Sequence, residues 1–274
     1  MKNDRQDDPA MAGKLTSLAV FAIMIFVALG CNLSKFTGSG NSSNSGPDDK
    51  KPGTTSASTS DQCRNAYYPV GPSVVRKYHV TYARGMVSDR EYTETFSDFS
   101  GDTFTVNTDF GTVNAHVHWR CTADGLLATQ YNNSIDLMKS GASAKVDTVD
   151  SSGVTFPQEG RWQTGEKWEA AYHVIETLNG PDGKQIGGGD GTVKQDAEIV
   201  GSESVTVPAG TFDTMKAVIK TELEITINVK GISSPVKVPF ETTGWFAKDI
   251  GLVKAVTKMG LGGDATTELK SISK

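Results

Sequence analysis

From Met215 to Val229 the chain alternates. Met215, Ala217, Ile219, Thr221, Leu223, Ile225, Ile227 and Val229 fall in one phase. Lys216, Lys220, Glu222, Glu224, Thr226 and Asn228 fall in the other, with Val218 as the apolar exception. A period of two over roughly fifteen residues predicts a long strand with one buried face and one wet face. Just upstream, Pro208-Ala209-Gly210 carries hairpin chemistry. Proline presets φ at the first turn position, and glycine supplies the left-handed conformation that a three-residue loop needs. A strand of this length suits a strongly curved antiparallel sheet, in which its apolar face either fills a core or lines a pocket.

The same reading extends over most of the chain. Residues 75–86 and 90–99 are predicted to form a hairpin about Val87-Ser88-Asp89, and 102–110 and 112–122 a second about Gly111. In the last of these, Val113, Ala115, Val117, Trp119 and Cys121 share a face opposite Thr112, Asn114, His116, His118 and Arg120. Asp124-Gly125 turns the chain into 126–132, and strands are expected at 144–150 and 154–156. The stretch 166–178 runs to a polar tip at Asn179-Gly180-Pro181-Asp182-Gly183. Residues 192–207 lead into the Pro208 turn, and 235–247, 252–259 and 266–272 complete the set. No segment in this part carries a helical period. The expectation is a mainly β domain over residues 62–274, built as a strongly curved antiparallel sheet, open barrel or clamshell of about eleven strands.

Upstream of residue 62 the pattern changes twice. Residues 15–29 are an apolar run of about fifteen residues, shorter than the roughly 20 needed to span a bilayer and suited to a signal-peptide core. The ten residues before Met11 carry Asp4, Asp7 and Asp8 against Lys2 and Arg5, unlike a signal n-region, whereas Met11-Ala12-Gly13-Lys14 fits one; translation is expected to start at Met11. Ala28-Leu29-Gly30-Cys31 resembles the bacterial lipobox, with Ala28 where leucine is usual. That resemblance implies cleavage after Gly30 and a diacylglycerol on Cys31, whose acyl chains contribute about 0.8 kcal/mol per buried methylene. A cleaved soluble protein and an uncleaved anchor helix are the alternatives. Asn32 after the cysteine implies outer-membrane delivery by the sorting rule of such lipoproteins, placing the domain on the periplasmic side.

Residues 32–61 are almost entirely Ser, Thr, Gly, Asn, Asp, Lys and Pro. Such a tract cannot bury enough apolar surface to offset its ordering entropy and reads as a flexible tether, with a root-mean-square span of roughly 30 Å. The expected organisation is therefore a signal peptide over 1–30, a lipidated cysteine and linker over 31–61, and one β domain. The net charge of −5 comes with no basic run, so nucleic acid is not an expected partner. In an exported chain Cys63 and Cys121 are expected to pair as a disulfide, the alternative being two separate buried thiols.

Four further stretches carry a family resemblance. Phe156-Pro157 followed by Gly165-Glu166-Lys167-Trp168, VTVPAGTF at 205–212, WFAKDIGLVK at 245–254 and Glu268-Leu269-Lys270-Ser271 resemble the motifs of the TapB-like, domain-of-unknown-function group of bacterial exported lipoproteins. The resemblance covers residues 150–274 best. It implies a curved antiparallel sheet or clamshell related in shape to the LolA/LolB lipoprotein carriers, and it brings no catalytic residues.

The residues suggest little chemistry of their own. His116 and His118 share a strand face and could hold a metal only with a third ligand from a neighbouring strand, and a solvated pair is the plainer reading. No zinc-protease helix, nucleophile elbow or phosphate loop is present. No catalytic residue, metal or cofactor is therefore expected, and the chain does not read as an enzyme. Trp162, Trp168 and Trp245 lie near loops, where they either pack beneath those loops or line an apolar ligand cavity. Two functions follow: a membrane-anchored envelope lipoprotein that binds a lipid-like or other hydrophobic ligand, or a non-catalytic structural module that binds an envelope protein and no small ligand.

Overall fold

The computed structural model describes residues 63–83, 89–111, 114–131, 134–137, 142–229, 231–258 and 264–274. The signal-peptide, Cys31 and tether expectations lie outside these residues. The first half of the chain supplies β1 (Val75–Tyr82), β2 (Arg90–Ser100), β3 (Thr103–Asp109), β4 (Asn114–Thr122), β5 (Gly125–Ala128), β6 (Ser134–Leu137) and β7 (Ala142–Gly153). The second half supplies β8 (Phe156–Pro157), β9 (Lys167–Asn179), β10 (Gln185–Val207), β11 (Gly210–Val229), β12 (Ile232–Ala247), β13 (Gly251–Lys258) and β14 (Asp264–Ser273).

All fourteen described strands join one sheet in the order β6-β7-β9-β10-β11-β12-β13-β14-β1-β2-β3-β4-β5-β8. The mainly β, curved antiparallel architecture is as expected. The strand count exceeds eleven, and β6, with four residues, is too short to display a period and has no counterpart among the expected strands. The sheet curls without closing. Its ends approach each other just past β5, where the Tyr131 amide donates to the Thr148 hydroxyl on β7 at 2.9 Å.

Residues 187–191, a glycine-rich stretch ahead of the strand expected at 192–207, are already part of β10. Ladders to β9 and β11 hold them in extended form, and their neighbours need the missing side chains. A Cβ on Gly187 or Gly191 would lie 2.5 or 2.4 Å from the carbonyl oxygen of Asn228 or Glu224, and one on Gly189 would meet Ile225 Cδ1 at 2.9 Å.

The expected alternation of β11 is borne out from Ala217 onward, where Ala217, Thr221, Leu223, Ile225 and Ile227 are buried. Nearer the turn the opposite phase is covered too, and Thr214 is buried. Here the Pro208 turn docks on the far part of the sheet. The Ala209 amide donates to the Leu269 carbonyl at 3.1 Å, and Val205, Val207, Ala209 and Phe212 pack with Tyr78, Ala247, Val253 and Leu269. Among the described residues the outer part of β12 pairs with β11 alone, and β13 joins it from Glu241 onward. Pro235 and Pro239 lie in that open edge and remove donors that another strand would need.

Candidate functional site

At one end of the sheet the interior is filled by aromatic rings. The Cys63–Cys121 disulfide, with Cα atoms 5.0 Å apart, ties the segment entering the domain to β4. Asn65 then forms a tight turn, its side-chain oxygen accepting from the Tyr67 and Tyr68 amides at 3.0 and 3.2 Å while its Nδ2 donates to the Pro157 carbonyl at 2.8 Å. The turn aims two adjacent rings at different partners. Tyr68 stacks on Phe156 at 4.4 Å and on Trp119 at 5.3 Å, and Tyr67 stacks on Trp162 at 4.4 Å.

Trp162 and Trp168 are brought together, with ring centroids 6.0 Å apart. Their indole N–H groups donate to the carbonyls of Pro157 and Thr155, each at 3.1 Å. Trp162 packs with Ile199, Ala217 and Phe246 in a filled cluster. Trp245 stands apart, because Phe246 is the inward residue of that pair and strand alternation turns Trp245 the other way. Its Nε1 donates to Glu203 at 2.7 Å, and Lys216 lies 5.2 Å from the ring centroid and 2.9 Å from the same carboxylate. These two neighbours hold the Glu203 carboxyl below its ordinary range, the Trp245 bond first.

Beside the aromatic core lies a polar hub that the motif reading missed. Arg76 has no exposed surface. Its Nη1 is 2.6 Å from Glu94 Oε1, Nε donates to the Ile250 carbonyl at 2.9 Å, and Nη2 donates to the Pro69 carbonyl. The guanidinium also sits over the rings of Tyr68 and Phe96, at 5.1 and 5.2 Å. Burial, then the Glu94 charge, pushes the Tyr68 phenol well up. The turn that receives Arg76 belongs to the WFAKDIGLVK stretch. Asp249 and Gly251 both have positive φ, 63° and 96°, and a Cβ on Gly251 would lie 3.1 Å from the guanidinium carbon. One signal for Arg76 was present in the sequence, since it falls in the same phase of β1 as Tyr78 and Val80.

At the other end, the long strands present an apolar inner face. Val146, Tyr172, Val174, Leu178, Val193, Leu223, Ile225 and Ile227 are buried there. Val229, Val236 and Val238 continue the face and are only partly buried. Val238 also packs against the cluster of Val80 and Ala265, alongside Tyr82, Tyr92 and Phe240. The row on β9 contains one carboxyl group. Glu176 is 3% exposed, its Oε2 has no hydrogen-bond partner, and burial pushes its carboxyl up to about 7. Its phase with Tyr172, Val174 and Leu178 was legible in the sequence as an acid on an apolar face.

An open groove of about 360 Å³ lies on the β10–β11 hairpin, where Ser202, Glu203, Ser204 and Thr214 face Tyr67 and Lys248. His116 Nδ1 lies 2.6 Å from Asn107 Oδ1, and His118 Nδ1 lies 3.1 Å from Thr105 Oγ1. Among the described residues no three His, Cys, Asp or Glu side chains are grouped to hold a metal.

The DUF3108-like family model matches residues 114–257. No curated protein matches the chain. Among solved structures, a protein from Bacteroides fragilis described as exported and of YmcC-like fold aligns at 14% identity over 77% of this chain and 100% of its own, with a TM-score of 0.43. A Parabacteroides distasonis protein described as a lipoprotein aligns at 14% identity over 76% and 99%, with a TM-score of 0.44. The hypothetical lipoprotein YmcC of Escherichia coli aligns at 9% identity over 74% and 86%, with a TM-score of 0.34.

Proposed function

The chain belongs to the DUF3108-like family, a family of unknown function, and we propose that it is a lipid-anchored bacterial envelope protein whose β domain binds a lipid-like or other hydrophobic ligand. The anchor is supported by the apolar run at 15–29, the lipobox-like Ala28-Leu29-Gly30-Cys31 and the polar tract that follows. An oxidising compartment is supported by the Cys63–Cys121 disulfide. Asn32 favours the outer membrane and its periplasmic side, which fractionation of cells carrying Asn32→Asp against wild type would test.

The observation that carries the ligand reading is the apolar seam of Val229, Val236 and Val238, partly open and bordered by Tyr82 and Phe240. A ligand with an alkyl chain could bury its length there, as hydrophobic ligands do in sites lined by aliphatic and aromatic groups. Trp162 lies near Ala217, about 20 Å along β11 from Leu223 at strand spacing, so the tryptophans report on a bound chain from a distance. Residues 62–274 purified without the anchor should retain an acyl-bearing species in native mass spectrometry, and Val236→Asp should lose it. A bare mass, with tryptophan fluorescence unmoved by fatty acid, would sink the reading.

The second reading, a protein-binding module without a small ligand, is favoured by Val149 and Ile175, which are 56% and 42% exposed on adjacent strands. Crosslinkers placed at these two positions in intact cells should then capture an envelope protein. Retained lipid with no captured partner decides for the first reading.

A further inference from the structure

We propose that Glu176 is a proton-controlled latch: neutral, it lets β7, β9 and β10 pack as one apolar layer, and ionised, it draws water into that layer and loosens it. The latch deepens the hydrophobic-ligand reading, because the layer adjoins the Val229 and Val236 seam, yet its test needs no ligand.

The geometry sets an acid where no described side chain balances a charge. Across the ladders Glu176 is paired with Val146 on β7 and with Gly189 on β10. On β9 itself Val174 and Leu178 flank it on the same side. From β11, Ile225 occupies the space above Gly189, where a Cβ would meet its Cδ1 at 2.9 Å. The titratable groups sharing the cluster are two phenols, Tyr172 and Tyr131, with ring centroids 5.3 Å apart. Burial raises both, so they stay neutral through the physiological range.

Nearby charges are engaged elsewhere. Lys145 pairs with Asp147 at 2.8 Å, both well exposed, and His173 pairs with Asp190 at 3.1 Å on the outer side of β9. No charged side chain among the described residues contributes to the Glu176 shift, which comes from burial alone. An ionised carboxylate with an unpartnered oxygen has to recruit water or leave the cluster.

The surroundings are built to give way. Register shifts lie on both sides of β9, between Thr148 and Asp150 on β7 and between Gln185 and Gly187 on β10. Opposite Glu176, β10 offers Gly189, with Gly187 and Gly191 in the same phase, so no side chain of β10 interlocks with the carboxyl there. The sign follows from the direction of the shift. The folded carboxyl keeps its proton up to about 7 against an ordinary 4.5, so the packed layer is favoured in acid and weakens as pH rises through about 7.

Amide hydrogen exchange on the purified chain at pH 5.5 and pH 8.0, corrected for intrinsic rates, tests this. Relative to β3, residues 174–178 and 187–193 should lose roughly 30-fold protection at the higher pH. Glu176→Gln should abolish that difference, and His173→Gln should leave it intact. A wild-type difference below about 3-fold, or one that Glu176→Gln retains, overturns the proposal. If Glu176→Gln does not fold, side-chain carbon NMR of Glu176 in the wild type decides. A midpoint near the ordinary 4.5 ends the idea, and one near 7 upholds it.

Discussion

The pair formed by Arg76 and Glu94 offers the sharpest test of how the domain is held. Arg76 is wholly enclosed, Glu94 is 14% exposed, and their charged atoms are 2.6 Å apart. Removing one partner of a buried pair leaves an uncompensated charge and costs about 3–5 kcal/mol. Glu94→Gln keeps one acceptor oxygen for the guanidinium and puts an NH2 where the Tyr68 hydroxyl donates, so its cost should fall near the lower figure, about 3 kcal/mol. Glu94→Ala loses that acceptor and should approach the upper one.

Arg76→Met strands the Glu94 carboxylate instead, and it also leaves the Ile250 and Pro69 carbonyls without this donor, at about 1–3 kcal/mol each where water cannot reach them. The double variant Arg76→Met with Glu94→Leu has no charge left to strand. It should therefore be more stable than the sum of the single changes by at least about 2 kcal/mol. Equilibrium urea unfolding, followed by tryptophan fluorescence with m-values compared, measures all the terms. Additive single changes, or a Glu94→Gln cost below about 1 kcal/mol as for an exposed pair, would refute the reasoning.

Other substitutions probe the same architecture. Gly251→Ala forces an L residue to a φ of 96° and crowds the guanidinium, so thermal unfolding should show a loss of about 2 kcal/mol or more. Replacing both Cys63 and Cys121 with serine opens a link across 58 positions, which in the chain-entropy treatment removes about 4 kcal/mol, to be read from the urea midpoint. Trp162→Ala should cost about 3–5 kcal/mol as a buried large-to-small change. Trp245→Ala, on the open side, should stay within about 1 kcal/mol on the same denaturation curve.

Some of the fold was legible because it is written in local periods. The alternation of Leu223, Ile225 and Ile227 marked an inward face, and Pro208-Ala209-Gly210 marked its turn. Thr214 was not legible, since its burial depends on the turn docking against Leu269, far away in sequence. Gly187 to Gly191 carry no period of their own and become strand only between β9 and β11. The candidate site divides in the same way. Arg76 and Glu176 could be placed on inward faces by phase, but their fates differ. A carboxylate from β2 and two carbonyls converge on Arg76, whereas Glu176 meets Val146 and Gly189.

By itself the sequence determined that residues 62–274 would be mainly β, which face of β11 would turn inward beyond Ala217, and where the Pro208 turn would reverse the chain. Those properties belong to neighbours two to four residues apart, through backbone sterics and the pleat. The tertiary structure decided the order of fourteen strands and the convergence of Tyr68, Phe156 and Trp119 into one stack. It likewise brought Trp162 to Trp168 and left Trp245 apart. The physical reason is that a period states which side of a strand a residue occupies. What lies across from that side is set by curvature and long-range pairing.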